Sequence, residues 1–165
     1  MSRTPSLRFS VSHRRWLAGV FSLLWGSGVL WLVFHHFLRT EGEFGPVPNP
    51  FEKWWLSLHG LAAFAALVAI GTVLPVHVRR GWDLNKNRTT GLGMKGALAW
   101  LAVTGYALYY FADPDTRPWL PWLHWVVGLG MPALIALHIR RGRARRRPHP
   151  RASERGSPAH KSHVA

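Results

Sequence analysis

Four apolar stretches, each long enough to cross a lipid bilayer as a helix, dominate this sequence. They cover residues 16–38, 54–78, 92–111 and 119–139, and none of them contains Asp or Glu. A helix of about 20 residues rises about 30 Å, which matches the hydrocarbon thickness of a bilayer. The pattern therefore predicts an all-α membrane protein built as a bundle of four transmembrane helices.

The charged residues are segregated from the apolar stretches and predict how the bundle is oriented. The chain is 48% hydrophobic, yet its formal net charge is +14. Of the 21 Lys and Arg residues, 18 lie in residues 1–15, 79–95 and 140–165, whereas the two other loops hold five of the seven acidic residues. By the positive-inside rule, both termini are expected in the cytoplasm. We expect a multi-pass protein of the bacterial inner (cytoplasmic) membrane.

Composition also restricts the partners and cofactors. The basic residues are explained as topology anchors, so the high charge does not indicate a nucleic-acid partner, and membrane lipid is the expected environment. Residues 143–165 are rich in Arg, Pro, Ser and His and have no apolar period, which predicts a disordered basic tail after a membrane domain of residues 1–142. The sequence contains no cysteine, which excludes disulfides, thiolate-bound iron–sulfur clusters and covalently attached c-type haem.

Seven of the ten histidines lie in or at the ends of the first, second and fourth apolar stretches. The second and fourth stretches share one arrangement, in which Leu-His opens the stretch and His-x-Arg-Arg-Gly closes it. This places His59 and His124 near the outer ends, and His77 and His138 near the inner ends. Ionisable residues inside a membrane are costly and usually functional. The other three histidines belong to the first stretch: His13, His35 and His36.

Residue counts predict the depth of these histidines. His77 and His138 each precede an Arg-Arg pair by two residues, so we expect them at one level near the cytoplasmic face. His59 lies about 27 Å along the helix axis from His77, whereas His124 lies about 21 Å from His138, so His59 is expected about one turn further out. Helix tilt, a bend at a proline, or an outer ligand from the adjacent histidines of the first helix, estimated at the height of His59, would each account for the difference.

Two pairs of histidines at two depths favour two haem groups over a single metal ion. A haem iron with two axial imidazoles needs one histidine on each face of a flat macrocycle, and hence two helices held apart. Each ligating ring must be neutral and is usually oriented by a hydrogen bond from its other nitrogen. Zinc or copper would instead draw several ligands into one tight cluster. Small residues of the second and fourth helices are expected to leave room for the macrocycle: Gly60, Ala62, Ala63, Gly71, Gly128 and Gly130.

Residues 13–142 resemble the four-helix di-haem membrane cytochromes b, which serve as membrane subunits of formate dehydrogenases and hydrogenases and as small quinol oxidases. The resemblance rests on the 14-residue spacing of His124 and His138 and on the run Ser-His-Arg-Arg-Trp-Leu at residues 12–17. It is greatest with short bacterial cytochrome-b-like proteins of unassigned function, through Glu-Phe-Gly-Pro at residues 43–46 and Thr-Gly-Tyr-Ala-Leu-Tyr-Tyr at residues 104–110.

The resemblance implies ligand roles for two further histidines. In that family the second helix gives one outer ligand, which matches His59, and a histidine at the start of the first helix ligates the inner haem, which matches His13. His77 departs from the family pattern and competes with His13 for the inner haem.

The sequence therefore predicts transmembrane electron transfer through two non-covalent haem b groups. His59 and His124 would hold the outer haem, and His138 would hold the inner haem with His77 or His13. The protein would be an electron carrier or a membrane subunit of an oxidoreductase rather than a stand-alone catalyst, linking the quinone pool to a periplasmic or membrane redox protein. Residues suggested for contact with a quinone or a partner are Arg39, Glu43, Asn87, Arg88 and Lys95.

Two other functions are compatible with the sequence. One is a cofactor-free membrane anchor or assembly subunit of a larger complex, whose helices only dock other proteins. The other is a membrane protein that handles haem or a metal transiently.

Overall fold

The structure, a computed structural model, describes residues 10–75, 88–111 and 118–144. Within these ranges the chain forms four long helices and one short β-hairpin. In chain order these are α1 (Val11–Phe37), β1 (Thr40–Gly42), β2 (Gly45–Val47), α2 (Glu52–Val73), α3 (Arg88–Tyr110) and α4 (Leu120–Ala144). The predicted all-helical class with four helices is confirmed for this part of the chain. His77, Asn87 and residues 145–165 of the predicted tail lie outside the described residues.

The helices extend past the apolar stretches that predicted them. α1 begins at Val11, five residues before the predicted start, and the Ser10 side chain caps it by accepting a hydrogen bond from the backbone N–H of His13 at 3.1 Å. α4 continues to Ala144, two residues into the segment predicted as tail. Hydropathy marks where the hydrocarbon ends, whereas a helix ends where its backbone hydrogen bonds and caps end, so the two boundaries differ.

Three of the four helices are long and apolar enough to cross a membrane, namely α1, α2 and α4. α3 is 23 residues long, but it carries Arg88 and Lys95 and does not reach the same hydropathy. The structure thus supports a membrane protein with three apolar helices.

The helices pack as two antiparallel hairpins, α1 with α2 and α3 with α4. Contact between the two hairpins is sparser and includes the rings of Trp31 in α1 and Trp125 in α4, whose centroids are 5.9 Å apart. In the described part of the chain the buried apolar residues are few, and most are alanines of α2: Ala62, Ala66, Ala69 and, in α4, Met131. Small residues let helix backbones approach closely, which suits the tight pairing of α1 with α2.

The β-hairpin connects α1 to α2 at one end of the bundle. Its strands pair antiparallel, with Thr40 opposite Val47, and Gly45 takes the positive φ of 113° that the turn requires. In the Glu-Phe-Gly-Pro run at residues 43–46, Glu43 and Phe44 form the turn, and the other two residues begin β2. The connection, residues 38–51, returns the chain so that Glu52 at the start of α2 lies beside His35 near the end of α1.

Candidate functional site

His59 of α2 and His124 of α4 meet between the two helical hairpins. Their ring centroids are 6.3 Å apart, and the ring planes are nearly perpendicular at 86°. Residue counting placed His59 about one turn further out than His124. In the structure the two rings lie within reach of one another, so the offset does not keep them apart.

The His59 ring is held by α1. Its Nδ1 lies 2.9 Å from the carbonyl oxygen of Leu24 and 3.4 Å from Oγ of Ser27, which is only 2% exposed. A carbonyl oxygen can only accept, so Nδ1 donates and carries the proton of the neutral imidazole. The lone pair is therefore left on Nε2, which makes no hydrogen bond within the described residues.

A glycine of α1 allows this close approach. A Cβ atom added at Gly28 would lie 2.9 Å from Cε1 and 3.0 Å from Nδ1 of His59. Real Cβ atoms essentially never come so close to ring atoms. The imidazole therefore lies directly against the backbone of α1, and Gly28 is required for that position.

The His124 ring is held by α3 in a similar way. Its Nδ1 lies 2.9 Å from Oγ1 of Thr104, which is 4% exposed, and a Cβ added at Gly105 would lie 3.3 Å from Cε1 of His124. Trp100, one turn before Thr104, donates from Nε1 to the carbonyl of Leu123 at 3.0 Å and ties α3 to α4 beside this histidine.

His138 repeats the arrangement toward the other end of α4. Oγ1 of Thr90 lies 3.1 Å from Nδ1 of His138, and a Cβ added at Gly91 would lie 3.9 Å from Cε1 of the same ring. Thr90 is 7% exposed. His138 and His124 are thus both contacted by a threonine of α3 that is followed by glycine.

A hydroxyl residue followed by glycine therefore meets each of three candidate ligands. The three pairs are Ser27-Gly28, Thr90-Gly91 and Thr104-Gly105. Ser27, Thr90 and Thr104 are also the buried polar residues in the part of the chain that the structure describes. Sequence reasoning missed them because it searched for small residues on the second and fourth helices, which carry the candidate ligands, whereas the glycines that touch the rings lie on α1 and α3. The spacing of the two Thr-Gly pairs, 14 residues, equals that of His124 and His138 and was a usable signal.

His35 and His36 do not join the pair formed by His59 and His124. Nδ1 of His35 lies 2.7 Å from Oε1 of Glu52, and the ring stacks on Trp31 with centroids 4.7 Å apart. His36 is exposed, and its ring packs edge-on against that of Trp125 with centroids 5.3 Å apart.

The estimated height of these two histidines was wrong. The residues of α1 at the level of His59 are Leu24 and Ser27, so His35 lies about two helical turns further toward the β-hairpin. The height was estimated by counting residues along each helix separately, but in the packed hairpin His35 lies beside Glu52 in the first turn of α2.

His13 lies in the first turn of α1, with its ring centroid 5.8 Å from that of Trp16. Because His77 lies outside the described residues, the choice between His13 and His77 as partner of His138 stays a prediction. Arg39 and Glu43, suggested for contact with a quinone or partner, are exposed at the β-hairpin end.

The separation of His59 and His124 fits an iron held between two imidazoles. With a metal–nitrogen bond of about 2.0 Å and a ring radius of about 1.1 Å, two rings on opposite sides of one metal have centroids about 6 Å apart. The observed separation is 6.3 Å. Within the described residues no group of three or more His, Cys, Asp or Glu side chains is placed to hold a metal ion. A two-histidine site suits haem iron, whose porphyrin supplies the remaining nitrogens.

No family model, curated protein or solved structure matches this chain.

Proposed function

We propose that this chain transfers electrons across a membrane through non-covalently bound b-type haem, one group of which His59 and His124 would hold between them. The observation that supports this most directly is the perpendicular pair of rings 6.3 Å apart between two helical hairpins. When bound, haem would supply reversible one-electron redox chemistry.

The protein's own contribution is to present two neutral, oriented imidazoles. Nδ1 of His59 is engaged by α1 and Nδ1 of His124 by α3, which leaves Nε2 of each ring as the ligand atom. Hydrogen bonds of this kind fix the tautomer and raise the basicity of a ligating imidazole. The sparse contact between hairpins is where a planar group would be accommodated.

A second haem is proposed at His138. The His138 ring lies about 21 Å along α4 from His124. Like the His124 ring, it contacts a threonine of α3 that is followed by glycine. Its opposite ligand would be His77 or, following the family resemblance, His13. Two haems at this spacing would carry electrons between the two faces of the membrane, from or to the quinone pool at one face and a redox partner at the other.

We propose that α3 is the fourth membrane span, although it is less apolar than the others. Thr90 and Thr104 contact α4 at two points about 21 Å apart, so α3 follows α4 through most of the bilayer thickness. Together with the positive-inside rule, four spans would place both termini in the cytoplasm of a bacterial inner-membrane protein.

The spectrum of the purified protein tests the proposal. The chain is expressed with haem supply and purified in detergent, and a reduced-minus-oxidised difference spectrum and a pyridine haemochrome assay are recorded. We expect the α-band of low-spin haem b and two haems per chain. A protein without haem would refute electron transfer and favour a cofactor-free anchor, and one haem per chain would refute the inner or the outer site.

Single variants assign the sites. His124→Ala is expected to remove the outer haem and His138→Ala the inner haem, each leaving one haem per chain. His36→Ala is the matched control, because His36 is exposed on α1 and lies outside both sites. Loss of haem in the control and retention of both haems in His124→Ala would each contradict the assignment.

A further inference from the structure

α3 carries no histidine, yet it contacts both histidines of α4 through a repeated pair of residues. Thr104 meets His124 and Thr90 meets His138, each through Oγ1 and Nδ1, at 2.9 and 3.1 Å. The helices run antiparallel, so the 14-residue spacing on α3 matches the 14-residue spacing on α4. Each threonine is buried.

We infer that Thr104 and Thr90 are positioning residues that set the tautomer, orientation and electron-donating strength of the two imidazole ligands on α4. This inference rests on the proposed function for its redox consequences, but its hydrogen-bond component is independent of haem. α3 would then tune the redox potentials of both sites without supplying a ligand to either.

The direction of the hydrogen bond follows from the partners of Thr104. Its hydroxyl donates to the carbonyl oxygen of Trp100 at 2.8 Å, with the carbonyl of Leu101 also nearby at 3.4 Å. A hydroxyl has a single hydrogen, and these carbonyls can only accept it. Oγ1 of Thr104 therefore accepts from Nδ1–H of His124, and the lone pair of the ring lies on Nε2.

The Thr104 hydroxyl, which accepts the hydrogen bond from Nδ1 of His124, affects the electron-donating strength of this imidazole as well as its orientation. An imidazole whose N–H is hydrogen-bonded is a stronger donor to a metal, which favours the more highly charged oxidised ion. Removing the acceptor should therefore stabilise reduced iron and raise the midpoint potential of that site alone. A role for Thr104 in packing alone predicts no such rise in Thr104→Val, because Val keeps the shape of the side chain.

His59 provides an internal comparison. Its Nδ1 already donates to the backbone carbonyl of Leu24 at 2.9 Å, and the hydroxyl of Ser27 is more distant at 3.4 Å. Replacing Ser27 by Ala leaves the stronger acceptor in place, so the potential should change little. Thr104 is the only hydrogen-bond partner of Nδ1 of His124 within the described residues, so its loss should matter more.

The test compares Thr104→Val, which keeps the side-chain shape but removes the acceptor, with Thr104→Ser, which keeps the hydroxyl. Thr89→Val is the matched control, because Thr89 is an exposed threonine of the same helix. Midpoint potentials are measured by spectroelectrochemistry and the low-spin haem signals by electron paramagnetic resonance. We expect Thr104→Val to raise one potential and shift one signal, and the Ser variant and the control to resemble the wild type.

Thr104→Val protein that holds two haems with unchanged potentials and signals would overturn the inference. Thr90→Val is the second variant, and it should affect the other haem. If Thr104→Val does not fold, Thr90→Val replaces it in the test. An unchanged midpoint potential of the inner haem in Thr90→Val would then overturn the inference.

A measurement on haem-free protein separates this inference from the proposed function. The ¹⁵N shifts of the His124 ring report the neutral tautomer directly. We expect the Nδ1–H form in the wild type and in Thr104→Ser, and a shift toward the Nε2–H form in Thr104→Val. A protein that never binds haem but shows this pattern would refute the proposed function alone, and the same tautomer mixture in all three would refute the role of Thr104.

Discussion

At the scale of single residues, the position of each candidate ligand is set by atoms on a neighbouring helix. His59 contacts the backbone of α1 so closely that a Cβ on Gly28 would lie 2.9 Å from its ring. His35, only about two turns away on α1, is engaged by Glu52 instead. The two imidazoles have the same chemistry. His59 differs from His35 as a candidate ligand only in the groups that surround it.

Gly28→Val should displace the His59 ring and remove the outer haem. The added side chain would overlap Cε1 and Nδ1, and the helix backbone cannot move away without separating α1 from α2. Gly26→Val is the matched control, because a Cβ at Gly26 meets nothing within 4 Å. Haem per chain is measured by pyridine haemochrome. The ring position would be wrong if Gly28→Val retained two haems with wild-type spectra.

His35→Ala should leave the haem content unchanged. Its side chain and that of Glu52 are 32% and 14% exposed, so their pairing is partly screened by solvent. We expect a loss of stability on the order of 1 kcal/mol or less, seen as a small fall in Tm. Haem content and Tm are compared with those of His59→Ala, which should lose the outer haem. Loss of a haem from the His35 variant would restore His35 as a candidate ligand.

At the scale of helices, the alanine face of α2 determines how closely the first hairpin can pack. Ala62, Ala66 and Ala69 follow a spacing of four and three residues, so they share one face of the helix, and all three are buried. This packing holds α1 near enough for Leu24 to reach His59. The alanines thus support the site without touching a cofactor.

Ala66→Leu should destabilise the hairpin by about 1–3 kcal/mol, because a larger side chain must force α1 and α2 apart. Ala66 is 3% exposed, whereas Ala102 on α3 is exposed, so Ala102→Leu is the matched control. Unfolding in mixed detergent, followed by tryptophan fluorescence, gives the difference in free energy. Equal stabilities of the two variants would show that the alanine face does not control the packing.

At the scale of the whole molecule, the number of membrane spans decides on which side each segment lies. Three helices are apolar enough to span by composition, and α3 is proposed as the fourth. With four spans, the β-hairpin and the end of α4 lie on opposite sides of the membrane, because three helices separate them. With α3 not crossing, they would lie on the same side.

Single cysteines can decide this, since the sequence contains none. Glu43→Cys lies in the exposed β-turn and Arg143→Cys lies at the exposed end of α4. In intact spheroplasts, a membrane-impermeant maleimide should label Glu43→Cys, and it should label Arg143→Cys only after lysis. Labelling of both cysteines in intact spheroplasts would mean that α3 does not cross, and the reverse pattern would invert the proposed topology.

The sequence by itself predicted four helices and the histidines that lie on them. It predicted all four helices to be apolar membrane spans, and the structure has four helices, three of which are apolar enough by composition. These properties depend on residue type and on periodicity along one helix, so they can be read from the chain locally. The start of α1 was predicted too late and the end of α4 too early, because hydropathy does not report the capping of a helix outside the hydrocarbon.

Only the tertiary structure decided which side chains meet across helices. Counting along two separate helices did not decide whether His59 and His124 meet, and the structure places their ring centroids 6.3 Å apart. It also assigned Thr104 to His124 and Glu52 to His35. The relative level of two helices depends on their tilt, their crossing and the length of the connection between them, and these are properties of the packed bundle rather than of either helix alone.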